Sequence, residues 1–173
     1  MREFLPDRRG SILLETAIAL SVLVLILLGL AEFGEAFSIK RRNSQVASTG
    51  ADLVAQVSSV ATSDLQDIAS IGGTILAPFP SAPLGLRISS VIQNAQNATV
   101  QWSYGFGSLS AAAKGSAYAL PTGLINQNQT IIVAQTSYKF APPFGTYLLG
   151  GVTFTSTAYN TPRIGGAVAC AGC

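Results

Sequence analysis

An uncharged apolar stretch near the N-terminus constrains this chain of 173 residues more than any other feature. Sixteen residues without a charge, Thr16 to Ala31, lie between Glu15 and Glu32. At about 1.5 Å per residue they make a helix of about 24 Å, which is shorter than a hydrocarbon layer of about 30 Å. If the helix is counted from Ser11 instead, it is long enough to cross the hydrocarbon layer. The sequence therefore predicts one membrane-spanning helix, with Glu15 at the edge of the bilayer core.

A carboxylate in this position needs a reason, because an ionised side chain there costs up to about 3 kcal/mol unless another charge pairs with it. Glu15 lies five residues after Gly10, which ends the polar leader MREFLPDRRG. A cut after Gly10 makes Ser11 the first residue and Glu15 the fifth. Such a leader, followed by an apolar helix with Glu at its fifth position, resembles the type IV prepilin signal that prepilin peptidases read.

The prepilin resemblance implies cleavage between Gly10 and Ser11, and pairing of Glu15 with the α-ammonium group of a neighbouring subunit. Two buried charges that meet are tolerated, whereas one alone is not. Two other interpretations stay open. The chain can be an uncut anchor whose Glu15 reaches toward the headgroups, or a secretory signal peptide with Gly34 and Ala36 before its cut. The apolar run is longer than the usual 7 to 15 or so residues of a signal peptide.

The charges are distributed unevenly, and this limits the chemistry of the distal part. All eight acids lie at or before Asp67, and the last 106 residues carry only four charges, Arg87, Lys114, Lys139 and Arg163. The chain has no histidine. General acid–base chemistry and metal binding therefore lack their usual side chains there, and we expect no enzyme, cofactor or metal site. A hydrolase that pairs a serine with Lys114 or Lys139 is the remaining enzymatic alternative.

Both cysteines lie at the C-terminus, as Cys170-Ala-Gly-Cys173. Outside the cytoplasm this pair is expected to form a small disulfide loop, or else to remain as two idle thiols. One C-x-x-C without a βαβ context does not indicate a redox or zinc site.

The first helix is expected to continue beyond the membrane to about residue 61, because no proline occurs between Pro6 and Pro78. An apolar stripe at helical spacing supports this extension; it consists of Val46, Leu53, Val54, Val57, Val60 and Ala61. The stripe packs either on the chain's own head domain or on the helix of a neighbouring subunit. Gly50 leaves a bend or break open, since glycine weakens a helix by about 1 kcal/mol relative to alanine.

A second short helix is predicted from Asp64 to about Ile71. Ser63 and Gln66 have the spacing of a capping box at its start, and Gly72-Gly73 is expected to end it. The proline-rich stretch from Pro78 to Pro83 is interpreted as a linker.

Alternating patterns after Pro83 predict four strands. The first two, near residues 86–92 and 100–106, form a hairpin around a turn at 94–97. Two more strands cover Thr130 to Phe140 and Val152 to Tyr159, with a Pro142-Pro143 loop between them. One face of the second strand carries Val100, Trp102, Tyr104 and Phe106. We assign this row to the core rather than to a binding platform, because a small domain needs its large apolar side chains for burial.

The predicted fold class is α+β: a long N-terminal helix, with a transmembrane half and an amphipathic extension, is followed by a small antiparallel β-sheet head domain. The expected segments are a leader at 1–10, the helix at 11–61, a short helix and linker at 62–83, and an extracytoplasmic head at 84–173.

Two motifs resemble the TadE-like pseudopilins of tight-adherence pili. Glu32-Phe33-Gly34 looks like their Glu-aromatic-Gly signature at the helix end. The run from Thr130 to Arg163 is similar to their distal region, where a strand ending in Tyr-x-aromatic-x-Pro precedes a final strand and Pro-Arg; the matching residues are Tyr138, Phe140, Pro142, Pro162 and Arg163. The sequence departs from their pattern at Thr16, Glu35 and Gln135, where these proteins usually carry an aromatic, a basic and an acidic residue.

This resemblance implies a minor pilin or pseudopilin of a type IV (Tad) adhesion pilus. Its implied partners are the inner membrane, a prepilin peptidase, other pilins and the assembly platform, with no nucleic acid or small-molecule substrate. Basic residues flank the span equally on both sides, so the positive-inside rule does not orient it. The leader implies a cytoplasmic N-terminus and a periplasmic C-terminal domain, and incorporation into an extracellular pilus stays open. The alternative is an uncut, single-pass anchored extracytoplasmic binding or scaffolding domain.

Overall fold

The structure is a computed structural model that describes residues 8–143, 145 and 151–173, without the side chains of residues 8–11. Most of the predicted leader, residues 1–7, and part of the loop after Pro143 lie outside the described residues. The elements are α1 (Arg8–Ala55), β1 (Ser59–Ala61), α2 (Thr62–Leu76), β2 (Leu84–Gln93), β3 (Ala98–Phe106), β4 (Ala117–Tyr118), β5 (Thr130–Phe140), β6 (Val152–Asn160) and β7 (Ala169–Ala171). The predicted α+β class is confirmed.

The long helix α1 has two halves with different surroundings. Residues 12–31 are exposed almost throughout, whereas one face of the helix is buried from Ile39 to Ala55. The buried residues recur at spacings of three and four, as expected for one helical face; they are Ile39, Asn43, Val46, Ala47, Gly50, Ala51, Val54 and Ala55. This face packs against α2, β5 and β6. The second half of α1 therefore packs on the chain's own head, and it passes Gly50 without a break.

The helix ends at Ala55, and the prediction that it reaches about residue 61 is wrong. The Ala55 carbonyl oxygen accepts a hydrogen bond from the backbone N–H of Arg163 at 2.8 Å. Ser59–Ala61 form β1, which pairs in parallel with β7. Val57, which was assigned to the apolar stripe, is 40% exposed. The helix stops here because the C-terminal tail supplies both a partner for its last turn and a partner strand for the residues that follow.

Helix α2 starts earlier and ends later than predicted. The Asp64 carboxylate accepts a hydrogen bond from the Ala61 N–H at 2.8 Å, so Asp64, and not Ser63 with Gln66, satisfies the helix start. Gly72 and Gly73 lie inside α2 and do not end it. A Cβ atom added to Gly72 would lie 2.9 Å from Cγ1 of Val46. Gly72 therefore permits a close approach of α1 and α2 instead of stopping the helix.

Five strands form one sheet in the order β4-β3-β2-β5-β6, with antiparallel pairing throughout. The predicted hairpin is confirmed: Gln93 lies opposite Ala98, and the Asn94 N–H donates to the Asn97 carbonyl oxygen at 2.9 Å. The predicted bounds of β5 are also confirmed, and β6 is one residue longer than expected. The sequence did not predict β4, because a strand of two residues is too short to show an alternating pattern.

A β-bulge in the hairpin changes which face Val100 occupies. Ser90 lies opposite Trp102, but the next residue, Val91, lies opposite Val100, so that Gln101 is left over. Trp102 and Tyr104 pack in the core beneath the helices, whereas Val100 packs on the other side of the sheet with Val91. The prediction of one continuous face from Val100 to Phe106 is therefore wrong, because an extra residue inverts the alternation.

The sheet is covered on one face by the helices and on part of the other face by a connection between strands. The helices cover one face through two apolar clusters, which include Ile88, Ile132 and Leu65 in the first and Leu84, Tyr138 and Ile39 in the second. The connection between β3 and β5 covers part of the other face; its residues Ala112, Tyr118, Leu120 and Ile125 pack on Val91, Ala98, Val100, Ile131 and Val133. Trp102 is only 7% exposed, which confirms the core assignment for this residue.

The C-terminal tail closes the end of the head. β7 pairs with β1, and the Ala169 N–H donates to the Ser58 carbonyl oxygen at 3.0 Å. The indole N–H of Trp102 donates to the Val168 carbonyl oxygen at 2.7 Å in a buried position. The tail is thereby attached both to the end of α1 and to the sheet.

Candidate functional site

The exposed half of α1 is the main candidate site. Its most apolar 18-residue window has a mean hydropathy of 2.6, and no part of that window is buried against the protein. Within the described residues, one helix is long and apolar enough to cross a membrane. Residues 12–31 would span about 30 Å as a helix, which equals the thickness of a hydrocarbon core. The structure thus leaves a bilayer-length apolar helix uncovered.

Glu15 lies on this exposed half. Its side chain is exposed, and the neighbouring Thr16 hydroxyl donates to the Ile12 carbonyl oxygen at 2.8 Å. Glu15 forms no ion pair with any of the described residues, in contrast to Asp52, which pairs with Arg163. The predicted partner of Glu15 belongs to another subunit, so this role stays a prediction.

The expected cleavage site lies at the very start of the described chain. The backbone at Gly10 and Ser11 is helical, and the Ser11 side chain lies outside the described part. Cleavage between them stays a prediction.

The Glu32-Phe33-Gly34 motif marks the point where α1 first meets the head. The Glu32 carboxylate accepts a hydrogen bond from the backbone N–H of Gly145 at 2.9 Å. Phe33 is exposed, and a Cβ atom added to Gly34 would meet nothing within 4 Å. The structure therefore gives Glu32 a contact within the chain, and it leaves Phe33 and Gly34 on the uncovered side of the helix.

The contact of Glu32 with Gly145 joins the two parts of the sequence that carry the TadE-like resemblance. Gly145 follows the strand end that contains Tyr138 and Phe140. The Tyr138 hydroxyl donates to the Pro80 carbonyl oxygen at 2.9 Å, and the Phe140 ring stacks on Phe154 with centroids 6.3 Å apart. Burial raises the pKa of the Tyr138 phenol. The distal motif thus lies at the end of the head nearer the exposed half of α1, and Gly145, which follows it, contacts α1 at Glu32.

The Pro162-Arg163 motif contacts α1 at its opposite end. Arg163 forms an ion pair with Asp52 through its guanidinium and donates its backbone N–H to Ala55. Both ionic side chains are well exposed, so the pair contributes no more than about 1 kcal/mol. Its position is more informative than its strength, because it attaches the chain after β6 to the last turn of α1.

Sequence reasoning missed Asn43, which is 1% exposed between α1 and the sheet. Its side-chain N–H donates to the Phe154 carbonyl oxygen at 3.1 Å. Its backbone carbonyl oxygen accepts a hydrogen bond from the Thr136 hydroxyl at 3.1 Å. Its side-chain oxygen has no partner among the described residues. The signal that could have found Asn43 is its spacing, since it lies four residues after Ile39 and four before Ala47.

The residues of the alternative that pairs a serine with a lysine are not brought together. Lys114 and Lys139 are both exposed, and no hydrogen bond joins either of them to a serine among the described residues.

A disulfide joins Cys170 to Cys173, with Cα atoms 5.7 Å apart. In the described ranges, no group of three or more Cys, Asp or Glu side chains could hold a metal ion.

Comparison with known families supports the resemblance of α1 to TadE-like proteins. Residues 10–52 match the family model of TadE-like proteins. The matched segment contains Glu15 and Glu32-Phe33-Gly34, and it confirms the resemblance over that range. Comparison with curated proteins and with solved structures gives no match. The similarity of the distal region to this family therefore stays a prediction.

Proposed function

We propose that this chain, whose residues 10–52 match the TadE-like family, is a minor pilin or pseudopilin in the assembly of a tight-adherence pilus. Its role in this proposal is structural and not enzymatic. It is inserted as a single span in the bacterial inner membrane, with its N-terminus in the cytoplasm and its head in the periplasm.

The division of α1 into two halves carries the proposal. The second half is built into the head, while residues 12–31 remain uncovered. Lipid covers such a helix while the protein is in the membrane. If the subunit is extracted, other subunits must cover the same surface, because about 20 apolar residues exposed to water cost far more than a small domain's stability.

Two contacts support a head that moves together with its helix. Glu32 holds the membrane-proximal end of the head through Gly145, and Asp52 holds the distal end through Arg163. These two residues are separated by about 30 Å along α1. An attachment at both ends suits a subunit whose head must keep a fixed position when its helix packs among others.

In this proposal a prepilin peptidase cuts after Gly10, which leaves Ser11 as the first residue. The new α-ammonium group then pairs with Glu15 of another subunit, so that neither charge remains alone in an apolar environment. Other pilins and the assembly platform are the partners.

Intact mass of the full chain, co-expressed with a tight-adherence prepilin peptidase, tests the proposal. We expect a product that begins at Ser11. Ser11→Ala should still be cut, whereas Gly10→Val should block the cut by placing a branched side chain where the leader needs a glycine. A wild-type chain that keeps Met1 beside an active peptidase would support the alternative, an uncut anchored domain.

A further inference from the structure

We propose that a cavity between α1 and the segment Pro78-Phe79 binds the phosphate group of an anionic phospholipid. The cavity has a volume of about 350 Å³ and is lined by Ser38, Arg41, Arg42, Gln45, Pro78 and Phe79. This inference rests on the membrane span of α1 and does not depend on a role in pilus assembly.

The chemistry of the walls fits a phosphate ester. Arg41, Arg42 and Gln45 lie on one face of α1 at helical spacing. Arginine matches phosphate oxygens with two parallel N–H donors, and the glutamine amide adds another donor. The Ser38 hydroxyl already donates to the Gly34 carbonyl oxygen at 2.9 Å. Pro78 and Phe79 form an apolar wall, which suits the glycerol and upper acyl part of a lipid.

The positive charge of the cavity is uncompensated. Neither Arg41 nor Arg42 forms an ion pair with a described residue. Arg42 donates one N–H to the Ile75 carbonyl oxygen at 2.8 Å, which fixes its side chain against the last turn of α2. The nearest acid on this part of α1, Glu35, lines a different groove with Ile39 and Phe140. An incoming anion would therefore meet two guanidinium groups, one of them held in place.

The position of the cavity favours a lipid over a free ion. Arg41 lies ten residues after Ala31, or about 15 Å along the helix from the expected edge of the hydrocarbon core. The headgroup layer adds about 5 to 7 Å on each side of that core. Helical side chains lean toward the helix N-terminus, which here is the membrane side. An average helix tilt of about 20° brings one side of the head closer still. The Arg41 backbone then lies about 8 to 10 Å beyond the headgroup layer, and a lipid phosphate at the outer edge of that layer meets the cavity through the membrane-directed Arg41 side chain and the tilt of the head.

Native mass spectrometry of the full chain in detergent micelles, titrated with phosphatidylglycerol, tests this site. Arg41→Gln should lower the affinity about tenfold, because it removes a hydrogen bond between charged groups. Lys40→Gln is the matched control, since Lys40 is exposed, adjacent and outside the cavity. It removes the same charge and should leave binding unchanged.

Three outcomes would overturn the inference. Equal losses for Arg41→Gln and Lys40→Gln would show a non-specific attraction of lipid to positive charge. Equal retention of phosphatidylcholine would show that the anionic headgroup is not selected. Displacement of the lipid by millimolar inorganic phosphate would show that the site takes a free ion.

A further variant keeps the test independent of folding. If Arg41→Gln unfolds the head in circular dichroism, Gln45→Ala replaces it, because it removes a donor from the same wall without changing charge. Unchanged binding by Gln45→Ala would then overturn the inference. Cleavage after Gly10 is measured separately, so the lipid site and the proposed function can fail independently.

Discussion

Gly72 of α2 lies against Val46 of α1 so closely that no side chain fits between them. A Cβ atom added to Gly72 would lie 2.9 Å from Cγ1 of Val46 and 3.3 Å from Cδ2 of Leu84. This contact lets α2 pack directly on the buried face of α1. The second half of α1 is thereby enclosed by α2 on one side and by β5 and β6 on the other.

Gly72→Ala should therefore destabilise the head. Alanine gains about 0.5 to 1 kcal/mol of helix propensity, but overpacking costs about 1 to 3 kcal/mol. We expect a net loss of about 1 to 2 kcal/mol in the free energy of unfolding, measured by urea denaturation. Val46→Ala should cost less in the Gly72→Ala chain than in the wild-type chain, because there it also removes the clashing methyl group. Strict additivity of the two substitutions would contradict the contact.

The second half of α1 should be required for a soluble head. A chain that starts at Glu32 keeps the buried face of α1 and should be folded and monomeric. A chain that starts at Ser63 loses that face, which exposes Ile88, Ile132 and their neighbours, and it should aggregate. Circular dichroism and size-exclusion chromatography of the two chains check this. A folded monomer from Ser63 would show that the sheet domain is independent of the helix.

Glu15→Val should separate insertion from assembly. Removing the charge lowers the cost of placing α1 in lipid, so insertion and cleavage should be kept, while pilus assembly should be lost. Piliation and co-purification with the assembly machinery are compared with wild type at matched membrane levels. If both are equal to wild type, the carboxylate has no role in pairing.

Tyr138 should give the head a dependence on alkaline pH. Burial raises the pKa of its phenol above the ordinary value of about 10. The folded state favours the neutral phenol, whose hydroxyl donates to Pro80. The stabilisation is complete below the unfolded pKa of about 10 and is lost as the pH rises through the higher folded pKa.

Tyr138→Phe tests this dependence. It should cost about 1 kcal/mol at neutral pH, because the Pro80 carbonyl loses its partner. The stability difference between wild type and Tyr138→Phe should shrink above pH 10. Tyr118, whose pKa is raised by burial and by Tyr159, is present in both chains and cancels in this comparison. A difference that is constant with pH would contradict the prediction.

Asn43→Asp should be severely destabilising, because it places a carboxylate in a nearly inaccessible site facing the Phe154 carbonyl oxygen. Breaking a buried polar contact in this way costs about 3 kcal/mol or more. Asn97→Asp, in the exposed hairpin turn, is the control and should change stability by no more than about 0.5 kcal/mol. Thermal melts of the chain starting at Glu32 measure both. Equal melting temperatures would show that Asn43 is hydrated in solution.

The sequence alone determined the features that depend on local pattern and length. The apolar run after Glu15, the alternation in β5 and the turn between Asn94 and Asn97 each report a property of neighbouring residues. These predictions agree with the structure because helix and strand periods are read over a few consecutive positions. The match over residues 10–52 likewise lies within one helix.

Tertiary contacts alone decided the end of α1, the role of Gly72 and the face occupied by Val100. α1 stops at Ala55 because Arg163 and β7 return to it from the far end of the chain. Gly72 continues a helix because Val46 occupies the space where a side chain would lie. Val100 changes faces because Gln101 has no opposite residue in β2. Each outcome depends on contacts between residues that are distant in sequence. A glycine or an alternating pattern looks the same in the sequence whichever of these contacts forms, so the local pattern cannot predict the outcome.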